Sequence, residues 1–185
     1  MKDFLQTDRL EILFSYQEAV DLHPNMYQFL EDSSYNEEMF FLTYTTLKSI
    51  LTDLFFKDDK VILLINKYPL HNKNKTDKIL HKIVKNIREI TLSEQTFDYL
   101  NDDIDTYLRL QIETTYSNIK WKQLILSLIN QDFPDRQPQF KTKNSFKTPD
   151  IYIISPTTDT MIHIYDDRGY IIYSDDKMKI KQLIK

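Results

Sequence analysis

Apolar and polar positions follow two periods along this chain. Trp121, Leu124, Ile125, Leu128 and Ile129 recur in steps of three and four, which gathers them on one side of a helix and predicts a helix over 120–131. Phe40, Tyr44, Leu47, Leu51 and Leu54 recur in steps of 4, 3, 4 and 3 and predict an amphipathic helix of about five turns. The capping-box pattern Ser34-Tyr35-Asn36-Glu37 opens it, and the charged run 57–60 closes it. Ile79, Ile83 and Ile87 share one side of a further helix over 76–87. Where the period falls to two, strands are expected. From 107 to 114, Leu108, Leu110, Ile112 and Thr114 alternate with Tyr107, Arg109, Gln111 and Glu113, which predicts a strand with one wet face.

Other strands are expected over 9–15, over the buried apolar run 61–66, over 88–93, and over 151–155, 161–166 and 170–174. The last three are joined by turns too short for a crossover, so they form an antiparallel meander. Asp176 caps a short final helix that holds Ile180, Leu183 and Ile184. The order of elements predicts an α+β fold in a single domain, residues 1–185: a mixed, mainly antiparallel sheet with a C-terminal three-strand meander and helices packed on one face. Residues 1–35 read as a candidate N-terminal appendage. Residues 132–150 read as a long loop without aliphatic side chains, interrupted by Pro134, Pro138 and Pro149.

Composition narrows the chemistry. Hydrophobic residues make up 41% and charged residues 28%, with a formal net charge of −4, as in a water-soluble protein with a substantial core. That charge is too small to suggest a nucleic-acid or membrane partner. Cysteine is absent, which excludes disulfides, thiol catalysis and zinc–thiolate sites. The start Met1-Lys2-Asp3-Phe4 lacks the long apolar core of a secretory signal, and the expected location is the cytoplasm. Glycine normally contributes about 7% of residues, yet Gly169 stands alone here and Ala19 is the only alanine, a bias that fits an AT-rich genome. A single glycine leaves no room for a glycine-rich phosphate loop, a dinucleotide fingerprint or a nucleophile elbow.

The surviving glycine marks the leading candidate site. His163, Tyr165, Asp166, Asp167 and Arg168 precede Gly169 in a hairpin turn, where a positive φ would favour glycine. Two readings stand side by side. The cluster grips a partner, or its aspartates bond to turn amides and Arg168 pairs locally. His23, His71, His81 and His163 match no metal-ligand spacing, and Asp102, Asp103 and Asp105 lack the glycine and glutamate of a calcium loop, so no metal or cofactor is expected. Lys75, Lys78, Lys82 and Lys85 form a helical stripe that reads as a solvated face or a basic surface. In the long loop, Phe140 and Phe146 lie among Arg136, Lys141, Lys143 and Lys147, a composition that suits an interface anchor or a loop tucked against its own domain.

The string His163-Ile164-Tyr165-Asp166-Asp167-Arg168-Gly169 resembles the C-terminal signature of the domain-of-unknown-function family numbered 3885, found mostly in Gram-positive bacteria. Asn130-Gln131-Asp132-Phe133-Pro134, closing an apolar helix, is similar to that family's second signature. The resemblance covers roughly residues 36–176. Family members usually continue with a further helical, aromatic-rich segment that is not seen here. The resemblance carries no established activity with it. Members are similar to proteins encoded beside secreted polymorphic toxins, a setting that implies immunity proteins, which neutralise a toxin by binding it.

The expected function is therefore that of a cytosolic binding protein acting on a toxin domain, with Asp166, Asp167 and Arg168 of the turn and Asp132 nearby as its locus. A protein partner is expected, without membrane or direct nucleic-acid binding. The alternatives are an enzyme built on His163, Tyr165 and the aspartates, or a regulatory or scaffold module working through the lysine stripe.

Overall fold

A computed structural model describes residues 2–68, 76–98, 106–140 and 148–184. Its strands are β1 (Tyr16–Asp21), β2 (Lys60–Lys67), β3 (Thr91–Asp98), β4 (Thr106–Thr115), β5 (Asp150–Ser155), β6 (Thr160–Ile164) and β7 (Gly169–Ser174). Its helices are α1 (Glu37–Leu54), α2 (Thr76–Ile83), α3 (Trp121–Ile129) and α4 (Lys177–Leu183). The strands form one seven-stranded sheet in the order β1-β7-β6-β5-β2-β4-β3. Each neighbouring pair is antiparallel, and β5–β6–β7 is the expected meander.

Alternation along β2 divides the core. Leu63 and Ile65 face the four helices, in a cluster with Leu47 and Leu51 of α1, Ile83 of α2, Leu124 and Leu128 of α3 and Ile180 of α4. Ile62 and Leu64 face the other way and meet Phe4, Leu10 and Phe14. The helices thus lie on one face, while the N-terminal segment covers part of the other. Each of those three side chains contributes about 1.5–3 kcal/mol on burial.

That covering corrects the first expected strand. Residues 10–13 form a 3-10 turn, and the strand begins at Tyr16. The turn buries Leu10 and turns Ile12 out to solvent, and Phe14, the extended residue that follows it, is buried as well. The wet face expected of β4 is likewise covered at one end, where Tyr107 and Arg109 are buried. α2 stops at Ile83 rather than Ile87, because Val84 bridges to Ile119 and Asn86 caps a separate 3-10 turn. Arg88 lies in that turn, so β3 starts three residues later than expected, at Thr91. Asn36, not Ser34, caps α1, accepting from the Met39 amide at 3.2 Å. Among the described residues, no helix is long and apolar enough to cross a membrane.

Candidate functional site

The β6–β7 turn is built inward. Asp166 is buried and accepts from the Arg168 amide at 2.7 Å and from Arg168 Nε at 2.8 Å, with a second guanidinium nitrogen bonded to the same oxygen. This is turn chemistry with a salt bridge added. The bond and the charge of Asp166 hold the Arg168 guanidinium above its usual range, and Asp132 adds to that field. Asp167 is also buried and accepts from Gln28 Nε2 at 3.0 Å. Burial pushes its carboxyl above the ordinary range, and the Gln28 donor opposes that shift. Two exposed carboxylates do not stand on this turn.

Gly169 does not have the positive φ that the hairpin suggested. It is the first residue of β7 and pairs with Asp21. A Cβ there would strike the Tyr165 hydroxyl and the Val20 carbonyl oxygen and lie 2.8 Å from Tyr165 Cζ. Glycine is required by a close approach of ring and backbone, not by torsion.

Asn130-Gln131-Asp132-Phe133-Pro134 comes to the same place from the end of α3. The Asn130 carbonyl accepts from Gln139 Nε2 at 2.9 Å, and its side-chain oxygen accepts from Arg136 Nε at 3.1 Å. Gln131 Nε2 donates to the Tyr165 carbonyl, joining the two motifs directly. Phe133 meets Phe40 and Tyr35 edge to face, with centroids 5.0 and 5.8 Å apart. Asp132 itself is exposed.

Residues 8–185 match the family described as a domain of unknown function, DUF3885. The chain belongs to that family. It is 25% identical over 170 residues to the uncharacterized protein YnaE of Bacillus subtilis (strain 168), an alignment spanning 88% of this chain and 79% of that protein. No solved structure matches the chain.

The two strings, 130–134 and 163–169, clasp a third segment, the loop before α1. Gln28 reaches Asp167, the Leu22 amide donates to the Arg168 carbonyl at 2.6 Å, and the Phe29 ring lies 6.0 Å from Phe133. The loop closes on itself where Phe29 bridges Tyr35 and the Asn36 side chain donates to the Tyr27 carbonyl. Arg136 adds a clamp, paired with Glu37 and placed 3.7 Å over the Phe40 ring. So held, the loop leaves Tyr27 79% exposed and Phe29 and Leu30 each 50% exposed.

His163 lies apart from this locus. It points to the opposite sheet face from Ile162 and Ile164, and its ring stacks 4.2 Å from Tyr152. Burial lowers its pKa, and Asp150 opposes the shift. Asp150 in turn accepts from the Tyr68 hydroxyl at 2.8 Å. Tyr165 is half-buried against Gly169, and burial together with Asp166 raises its hydroxyl. The structure therefore joins Asp132, Asp166, Asp167, Arg168 and Gly169, and sets His163 on the other side of the sheet.

Sequence reasoning missed Arg109, which is fully buried in β4. Its Nε donates to Asn66 at 2.8 Å. One terminal nitrogen donates to the Phe4 and Thr7 carbonyls, the other to the Asp8 carbonyl and the Tyr107 hydroxyl. All five guanidinium donors are thereby used. Position 109 falls on the polar side of an alternating strand, and the N-terminal segment, with the Phe97 ring 4.7 Å from the guanidinium, makes it interior.

The other candidates resolve less dramatically. Lys82 and Lys85 donate to the Gln139 and Ser117 carbonyls, so the stripe on α2 is partly tied down. Phe140 is buried rather than an exposed anchor. Lys75, His71, Asp102, Asp103, Asp105, Lys141, Lys143, Phe146 and Lys147 lie outside the described residues. Among the described residues, no three histidine, aspartate or glutamate side chains are grouped to hold a metal ion.

Proposed function

We propose that this protein neutralises a bacterial toxin domain by binding it directly, through the loop that the family motifs brace. The observation behind this reading is the exposure of Tyr27, Phe29 and Leu30 within four residues of a loop anchored by Gln28 to Asp167 and by Phe29 to Phe133. Exposed large apolar side chains on a rigid mount suit an interface, because little ordering entropy is lost when a partner covers them. The inward use of Asp166 and Asp167 fits the same reading: the signature holds the loop, and the loop meets the partner.

The test is co-purification of the tagged protein from its native host, grown with its neighbouring genes intact, followed by mass spectrometry. A stoichiometric toxin domain is expected. Tyr27→Ala and Leu30→Ala should each weaken its binding by about tenfold or more, the size of a 1.4 kcal/mol anchor, with Tm unchanged. Full binding by a folded double variant would remove this loop from the interface.

A further inference from the structure

The charges are unevenly spread. Between Arg9 and Lys48 the chain carries seven carboxylates and no lysine or arginine. Glu31 and Asp32 follow directly on the exposed loop, and Glu37 and Glu38 share one side of α1 with Phe41, which is 64% exposed. Beside this stretch lies a groove of about 910 Å³ between α1, α4 and the edge of the sheet. Its lining includes Asp21, His23, Thr46, Asp53, Thr158 and Lys179. The His23 carbonyl accepts from the Met26 amide at 2.9 Å, so the exposed loop begins at the rim of the groove.

Two features of the groove favour a donor-rich, cationic occupant. Asp21 and Asp53 are exposed carboxylates, while the one lysine in the lining is turned to the Thr158 carbonyl at 2.9 Å. The Thr158 hydroxyl oxygen beside that carbonyl is buried and has no hydrogen-bond partner among the described residues, so it is free to accept or to donate. Asp21 and Asp53 disfavour a phosphate group or an anionic lipid headgroup beside them in the groove.

We infer that the α1–α4 groove receives a lysine- or arginine-bearing segment of a basic protein partner, with the loop at Tyr27–Leu30 docking alongside. This rests on the binding reading above and names the chemistry of the partner. Oppositely charged surfaces would speed the encounter and make it salt-sensitive.

The test is a titration of the isotope-labelled full chain with an oligo-arginine peptide, followed by NMR, with oligo-glutamate as control. Chemical-shift changes are expected at Asp21, His23, Thr46, Asp53 and residues 27–32, and they should fade with added salt. Asp21→Asn combined with Asp53→Asn should weaken the affinity about three- to tenfold, while Glu94→Gln on the distant β3 leaves it unchanged. Shifts scattered over acidic side chains throughout the molecule would overturn the proposal, as would undiminished affinity in the folded double variant. Failure to recover a toxin from the host, with the peptide still mapping to the groove, would sink neutralisation and leave the groove's preference standing.

Discussion

Gly169 and His163 are both fixed by close packing, one against a ring and a backbone carbonyl, the other against Tyr152. Alanine at Gly169 places a methyl group against the Tyr165 ring and the Val20 carbonyl. Overpacking of this kind costs about 1–3 kcal/mol, so thermal unfolding should show Tm lowered by roughly 2–10 °C; an unchanged Tm would mean that the ring moves away freely. His163 gives a pH dependence. Its folded pKa lies below the ordinary 6.5 because burial disfavours the imidazolium. As pH falls below about 6.5, the unfolded chain takes up a proton that the folded chain resists, and stability declines. Tm measured from pH 7 down to pH 5 should fall more steeply in the wild type than in His163→Gln. The importance of Gly169 was legible from its isolation in the sequence. Its reason was not, because a close approach between Tyr165 and β7 is a tertiary fact that leaves the same letter as a turn.

Among the elements, those with strong periodicity were legible and those ordered by distant partners were not. α1 and α3 follow from their apolar stripes, and the meander follows from three short strands with short turns. β1 has only Val20 half-buried among exposed neighbours, so its pairing with β7 rather than its own pattern makes it a strand. The loop before α1 is the same case. Gln28 carries no signal of its own, yet its bond to Asp167 joins the loop to the turn. Gln28→Ala should raise hydrogen exchange across residues 26–35 while leaving α3 and β2 protected, at a cost of about 1–3 kcal/mol for the lost hydrogen bond to a buried carboxylate. Uniform exchange across the fold would show that the loop does not depend on this contact.

Across the whole molecule, part of the second sheet face is covered by the N-terminal segment, which polar contacts hold in place. Lys2 bridges Asp159 and Asp175 at 2.6 Å each, Asp175 also accepts from the Ser15 amide, and Arg109 grips the Phe4, Thr7 and Asp8 carbonyls. Arg109→Leu removes that grip without shortening the segment. Limited proteolysis should cut within residues 2–14 more quickly, and stability should drop by about 3 kcal/mol or more, because several buried acceptors lose their donor together. Slow, wild-type cleavage would place the segment's hold in Phe4, Leu10 and Phe14 alone. Amphipathic period revealed the helix layer, but a cover made of irregular backbone has no period to reveal.

β1 lies at the sheet edge beside β7, so one of the first strands to be made pairs with the last. During synthesis on a ribosome, residues 16–21 would have no partner until residues 169–174 emerge. At about 5–20 residues per second, that wait is on the order of ten seconds or more. Meanwhile the apolar run of β2 would wait for both of its sheet neighbours, since β4 and β5 also follow it. Production of this protein should therefore depend on holding chaperones more than its compact native form suggests, and its folding should be slow for its size.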